Sequence, residues 1–384
     1  MEKKKIGILT YSHTSNMNYG AMLQTYALYS YLKQIGQAPS IIRWNINKKR
    51  KLTFVDITDR GITGFTYYLL CLKRLFTFAL TPVIEKIFLY HGEKPFANFF
   101  YQYIPDFTRI VSIKEMKTLN REFDCFIVGS DQVWRYKICP NIKSFFLDFV
   151  EDDKLKVSYA ASFGINTWSE APDDVTSEIK KLICRLNAIS VREESGISIC
   201  KNVFDVEAQL VLDPTLLINR EIYEHIIEDD NTPIPTAYVA CMLLDDRNHC
   251  GIYNNISNIT QLECISIKGK SFSLLSKQVT KYNSIALWLK LIQKASFVIT
   301  DSFHCTVFCI LFHKKFAVIK HPSRGISRLE TLLSRYGLKE YLVGQVDDIL
   351  HKKLWNNNID YCMIENQLLS DRAKSADFLK EALK

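Results

Sequence analysis

The 384-residue sequence has no CxxC pair among its eleven cysteines, no dense block of one charge sign, and no internal repeat or low-complexity tract. An odd count without paired spacing argues against a structural zinc site or a disulfide framework. It fits reduced thiols that serve as small core residues in a cytosol. The formal charge is +8, and its lysines and arginines are scattered apart from Lys3-Lys4-Lys5 and Lys48-Lys49-Arg50-Lys51. A dedicated nucleic-acid binder would cluster them, so no nucleic-acid partner is expected. An anionic small substrate or a membrane surface suits this balance. No apolar signal core precedes the first strand pattern, because MEKKK leads directly into IGILTY, and a cytoplasmic location is expected. Long apolar runs are also lacking. The richest stretch, GITGFTYYLLCLKRLFTFALTPVIEKIFLY (61–90), is broken by Lys73 and Arg74 and falls short of the ~18 uncharged residues a spanning helix needs. It reads as part of an apolar helical insertion near 55–105. Peripheral docking of its basic, aromatic face on the inner side of a membrane is the alternative.

What is present describes a large globular protein. Hydrophobic residues make up 47% and charged residues 23%, enough to bury a sizeable core. The length suits two domains of roughly 150–200 residues. Apolar, β-branched runs mark strands at 6–11, 40–44, 124–130, 156–162, 188–193 and 210–213, then at 237–244, 262–268, 296–301 and 316–320. Most are apolar throughout, as in parallel strands covered on both faces, and they alternate with helical patterns. The acidic, proline-bearing EIYEHIIEDDNTPIPT (221–236) reads as the linker. Two Rossmann-like, doubly wound α/β domains facing across a cleft follow, over 1–220 and 221–364. A terminal amphipathic helix over 365–384 could pack back on the first. Ligands in such folds sit at the carboxyl ends of strands, which singles out four junctions.

In TYSHTSNMNYGAMLQTYALYSYLKQIG (10–36), a strand ends near Tyr11 and a helix runs from about Tyr19 to Ile35. Asn18 can cap it, Gly20 permits close approach, and Gly36 ends it. No GxGxxG pattern or Walker lysine is present. Anion binding at the helix N-terminus and a simply well-capped helix both remain open, and His13 reads as solvated or structural. In FIVGSDQVWR (126–135), Gly129, Ser130 and Asp131 offer donors, a hydroxyl and a carboxylate to sugar or phosphate oxygens. A helix cap at Asp131 is the plainer reading, with Trp134 in the core. In SVREESG (190–196), Arg192 either forms a surface salt bridge or clamps a carboxylate or phosphate. In FVITDSFHCTVFCILFH (297–313), a strand meets a buried helix capped by Ser302 or Asp301. His304 then lies in the first turn, where the helix dipole disfavours imidazolium and favours proton exchange near neutral pH. Asp301 could orient it.

Together, NYGAMLQTYALYSYLKQIG, DCFIVGSDQVW, FFLDFV, KVSYAASFG, ISVREESG, VLDPTLL, ITDSFHCTVFCILF and GISRLETLLSRYGL resemble the polysaccharide pyruvyl transferase family over about residues 6–340. The resemblance implies a GT-B-like fold and transfer of a pyruvyl group from phosphoenolpyruvate to two hydroxyls of one sugar, forming a cyclic ketal. It implies His304 as acid/base, beside the Asp301 read from the junction, and Arg192 and Arg328 on the donor side, with Ser302 at the position of a donor-binding arginine. Asn18, Tyr19, Gly20, Ser130, Asp131 and Gln132 would line the acceptor or cleft wall. Phosphoenolpyruvate would be a co-substrate, with no cofactor and no metal. The acceptor would be a capsular, exopolysaccharide or lipid-linked glycan intermediate. Three positions differ from the family's usual pattern: Ser302 replaces an arginine of the ketal-forming members, Cys305 a glycine, and Arg135 an asparagine. Two other readings stay open: a GT-B-type glycosyltransferase using a nucleotide-sugar donor, or a non-catalytic glycan-assembly protein.

Overall fold

The computed structural model describes residues 2–45, 92–244, 252–274, 277–321 and 325–384. The stretch 61–90, and with it most of the insertion expected near 55–105, lies outside them. Six parallel strands make the first sheet: β1 (Lys5–Leu9), β2 (Ala38–Ile41), β3 (Cys125–Val128), β4 (Leu155–Ala161), β5 (Ala188–Val191) and β6 (Gln209–Leu210), in the order β2-β1-β3-β4-β5-β6. The second sheet contains β7 (Tyr238–Met242) and β8 (Glu263–Ser266). An antiparallel hairpin of β9 (Gly269–Leu274) and β10 (Lys277–Tyr282) follows. Strands β11 (Phe297–Thr300), β12 (Phe316–Ile319) and β13 (Leu342–Val343) complete a parallel sheet in the order β13-β12-β11-β7-β8. The hairpin and β13 escape a sequence reading. GKSFSL and KQVTKY mix polar and apolar residues instead of running apolar throughout, and β13 is only two residues long.

Strand periodicity explains how the first sheet buries both faces. Cys125 and Ile127 of β3 enter one core layer, while Phe126 and Val128 enter the other, the alternation that a two-residue repeat requires. Helices of this half are α1 (Tyr19–Gln34), α2 (92–103), α3 (Asp173–Ile183), α4 (Glu194–Ile199) and α5 (Pro214–Leu217). The remainder are α6 (Arg220–Glu228), α7 (Ile252–Thr260), α8 (Ile285–Lys294), α9 (Phe303–Leu311), α10 (Ser327–Arg335), α11 (Val346–His351) and α12 (Tyr361–Ala382). Among the described residues no helix is long and apolar enough to cross a membrane.

One apolar layer runs through both halves, joining α1 and α5 to α9 and the second sheet. The other covers the far face of the first sheet alone, with Trp44, Trp134, Phe163 and Phe204. Helix α12 straps the two together. Its first residue donates through the Tyr361 hydroxyl to the Lys314 carbonyl, and farther along Arg372 Nε donates to the Leu216 carbonyl at 2.7 Å. Ser375 Oγ accepts from the Leu212 amide at 3.0 Å. The stretch 221–236 is not all linker, because Arg220–Glu228 is helical and only 229–237 lacks helix or strand. Tyr223, Ile226 and Ile227 share one buried face of α6, spacing that favours a helix packed on a neighbour over a solvated connection.

Candidate active site

The carboxyl ends of the strands face one cavity of about 410 Å³ between the two halves. Its wall combines Asn18, Tyr19, Gly20, Asp131, Gln132 and Arg135 with Asp301, Ser302, His304 and Arg328. Thus nine of the sequence-nominated residues border it. Ser130 and Arg192 lie behind that wall, buried at 0% and 5% exposure.

Helix α1 supplies the floor. Asn18 Oδ1 accepts from the Ala21 amide at 3.2 Å and caps the helix. Strand β1 ends at Leu9, two residues earlier than the sequence suggests. Gly20 follows for a steric reason: a Cβ there would stand 2.0 Å from His304 Nδ1. The imidazole therefore rests directly on the α1 backbone. Tyr19 spans the cleft, its ring stacked on Trp288 at 5.0 Å and its hydroxyl 2.9 Å from the carbonyls of Lys268 and Asn283. His13 is structural, with Nε2 2.6 Å from the Trp44 carbonyl.

After β3 no helix begins, so Asp131 is not a cap; it adopts a positive φ of 73° within a tight turn. Trp134 is core, stacked on Phe146 at 4.8 Å, with its indole N–H donating to the Phe145 carbonyl at 2.8 Å. Ser130 Oγ is spent on the Asp213 carboxylate at 2.9 Å and the Ala160 carbonyl at 3.1 Å.

Arg192 is neither a surface ion pair nor a cation lining this cavity. Its Nη1 meets Asp213 Oδ2 at 2.6 Å and its Nη2 meets Asp131 Oδ1 at 3.0 Å. Asp213 also caps α5, accepting from the Thr215 amide at 3.0 Å. The next residue, Glu193, accepts through Oε1 from Ser162 Oγ and the amides of Phe163 and Gly164 at 2.8–3.1 Å. The Phe303 ring lies within cation–π reach of two guanidiniums, its centroid 4.7 Å from Arg192 Cζ and 5.6 Å from Arg328 Cζ.

At the second sheet, Ser302 rather than Asp301 caps α9, accepting from the Cys305 amide at 3.4 Å. Asp301 Oδ1 accepts from the Leu244 amide at 2.9 Å. The carboxylate that faces His304 Nε2, at 3.7 Å, belongs to Asp213. That separation exceeds a hydrogen bond, and Nε2 is buried without a hydrogen-bond partner. Asp213, Phe303 and Trp288 are the site residues that sequence reading missed. The signals for Asp213 were its place after LVL, at the end of another strand, and its presence in the stretch VLDPTLL.

The electrostatics are those of a buried, mixed-charge cluster. Burial would raise the Asp213 carboxyl, but His304 and Arg192 outweigh it and hold Asp213 well below the usual carboxylate range. Asp131 is likewise held low against its burial by Arg192, His304 and Arg328. Burial, with the charge of Arg192 next, pulls Arg328 down to about 10. Depressed carboxyl pKa values add stability above the unfolded value of roughly 3.9, and that stability is lost as pH falls through the folded value. Asp213→Asn should therefore be less stable than the native chain at pH 7 and converge on it in acid. Urea midpoints measured from pH 7 to 2 check this, the gap being flat above about pH 4 and narrowing below it; a gap that stays constant below pH 4 would rule out a role for Asp213 ionisation.

Two parallel-sheet halves with a polar cavity at their strand ends define a GT-B architecture, and solved structures agree. UDP-GlcNAc 2-epimerase from Methanocaldococcus jannaschii superposes with a TM-score of 0.51 at 11% identity, covering 94% of both chains. Arabidopsis thaliana UGT89C1 complexed with UDP-L-rhamnose gives 0.50 at 9% identity over 100% of both. At such identities the likeness concerns the fold alone. Comparison with curated proteins finds no match. The polysaccharide pyruvyl transferase family profile matches residues 18–323. The chain belongs to that family, and it is a transferase.

Proposed function

We propose that the protein moves a pyruvyl group from phosphoenolpyruvate to two hydroxyls of one sugar in a capsular, exopolysaccharide or lipid-linked glycan intermediate. The observation that carries this reading is His304: it borders the cavity, Nε2 has no hydrogen-bond partner, and the Asp213 carboxylate stands 3.7 Å away. An imidazolium there would have a counter-charge, and a neutral ring could accept a proton.

The chemistry balances with one such group. A proton from His304 to the donor's methylene carbon makes a methyl group and leaves an oxocarbenium-like centre at the adjacent carbon. The first sugar hydroxyl attacks that centre and its proton returns to His304. The C–O bond to phosphate breaks, inorganic phosphate departs, and the second hydroxyl closes the ketal, its proton leaving with the phosphate. As proposed, the reaction uses phosphoenolpyruvate as co-substrate and no metal or nucleotide. Asn18, Gly20 and Gln132 would meet the acceptor, with Tyr19 and Trp288 as its aromatic wall. The inner face of the membrane is the proposed place of action.

Phosphate release from phosphoenolpyruvate, assayed with a panel of lipid-linked and model galactosides, tests the reading. Release should depend on acceptor and fall by about 10²–10⁴ in His304→Ala, the range for loss of a general acid–base. Undiminished release in that variant would remove His304 from the mechanism. Nucleoside diphosphate release from a sugar nucleotide, with no turnover of phosphoenolpyruvate, would instead make the protein a glycosyltransferase.

A further inference from the structure

We propose that Arg135 and Arg328, arriving from opposite halves of the molecule, form a two-guanidinium clamp for a phosphoryl dianion in the cavity. Both border the same space. Arg135 is held at its base, because the preceding Trp134 is fully buried and the Trp134 amide donates to the Ser162 carbonyl at 3.1 Å. Its side chain is only 15% exposed, with Nη1 donating to Gln132 Oε1 at 3.3 Å and Nη2 ion-paired with Glu170 Oε1 at 3.4 Å. Nε is buried without a hydrogen-bond partner. A guanidinium carries five N–H donors in a planar fork, so donors remain for a ligand.

Arg328 is fixed across the cavity. Gly325, at φ +58°, lies so close to the first half that a Cβ would stand 1.6 Å from the Gly164 carbonyl oxygen. Thr331 Oγ1 accepts from the Glu194 amide at 3.2 Å, and Phe303 supports the guanidinium. Arg135 is among the charges that lower the Arg328 pKa, so the two cations feel each other. A dianion between them would relieve that repulsion. The acids of the same wall are shared: Asp131 pairs with Arg192 while also facing His304 and Arg328, and Asp301 accepts the Leu244 amide. Lys268, also on the wall, adds to the positive field. Only the naming of the dianion as the phosphate of phosphoenolpyruvate rests on the function proposed above. In that case the phosphate lies at the clamp while the methylene carbon faces His304.

Calorimetric titration of the full chain with inorganic phosphate and with phosphoenolpyruvate tests the clamp in the native protein, Arg135→Gln, Arg135→Lys and the distant control Lys33→Gln. Arg135→Gln should weaken both ligands roughly 10- to 100-fold, as expected for lost charge-assisted hydrogen bonds. It should raise KM for the donor more than it lowers kcat. Arg135→Lys should recover part of the loss, and Lys33→Gln should match the native protein. Equal phosphate affinity in the native protein and Arg135→Gln, or no binding of either ligand to the native protein, overturns the clamp. Arg135-dependent phosphate binding without turnover of phosphoenolpyruvate keeps the clamp and removes the pyruvyl reading. Turnover with donor KM unchanged in Arg135→Gln does the reverse.

Discussion

Replacing Arg192 with methionine is expected to lower stability by about 3–5 kcal/mol, the usual cost of leaving buried charges without their partner. The guanidinium is 1% exposed and satisfies Asp213 and Asp131 from two different strand ends. Methionine fills similar space but strands both carboxylates, and with folding stabilities of roughly 5–15 kcal/mol such a loss is a large fraction of the total. Urea denaturation followed by circular dichroism measures it. Arg192→Met/Asp213→Asn should recover part of the loss, since one orphaned charge is removed while Asn keeps an oxygen for the Thr215 amide. A double variant no more stable than the single one would mean that packing, not pairing, explains the effect.

Gly20→Ala should abolish turnover as thoroughly as loss of His304, by about 10²-fold or more, while the protein still unfolds cooperatively. In an ordinary helix this exchange stabilises by roughly 0.5–1 kcal/mol. Here the new methyl would lie 2.0 Å from His304 Nδ1 and 2.4 Å from its Cγ. The imidazole must yield, because the alternative is to part α1 from α9. Steady-state phosphate release and thermal melts of Gly20→Ala, His304→Ala and the double variant check this. The double variant should be no less active than His304→Ala, since residues acting through one group are not additive. Native-level turnover in Gly20→Ala would show that the ring's position does not matter.

Much of the fold was legible because its signals are local. The apolar runs that predict strands at 6–11, 124–130, 188–193 and 296–301 correspond to β1, β3, β5 and β11, each slightly shorter in the structure. Asn18 and Ser302 are caps because a short polar side chain ahead of an apolar helix has an amide within reach. The hairpin of β9 and β10 was not legible, nor was the helical start of the stretch 221–236. Neither is distinguished by composition; the buried face of α6 emerges only against its neighbours.

The site divides in the same way. The strand-end rule, applied to sequence alone, brought Asp131 and His304 to one cavity's border, and the family resemblance added Arg328. It could not say that Arg192 would be withdrawn behind the wall, because that depends on Asp131, 61 residues earlier, and Asp213, 21 residues later. Nor could it choose Asp213 over Asp301 as the carboxylate facing His304, or bring Arg135 to the same cavity as Arg328. Sequence by itself determined the alternating α/β elements, their caps and the chemical types available at each strand end, since these depend on neighbours within a few residues. Only the tertiary structure decided which charges neutralise one another and which remain at the cavity, because partners far apart in the chain meet only when the two sheets pack.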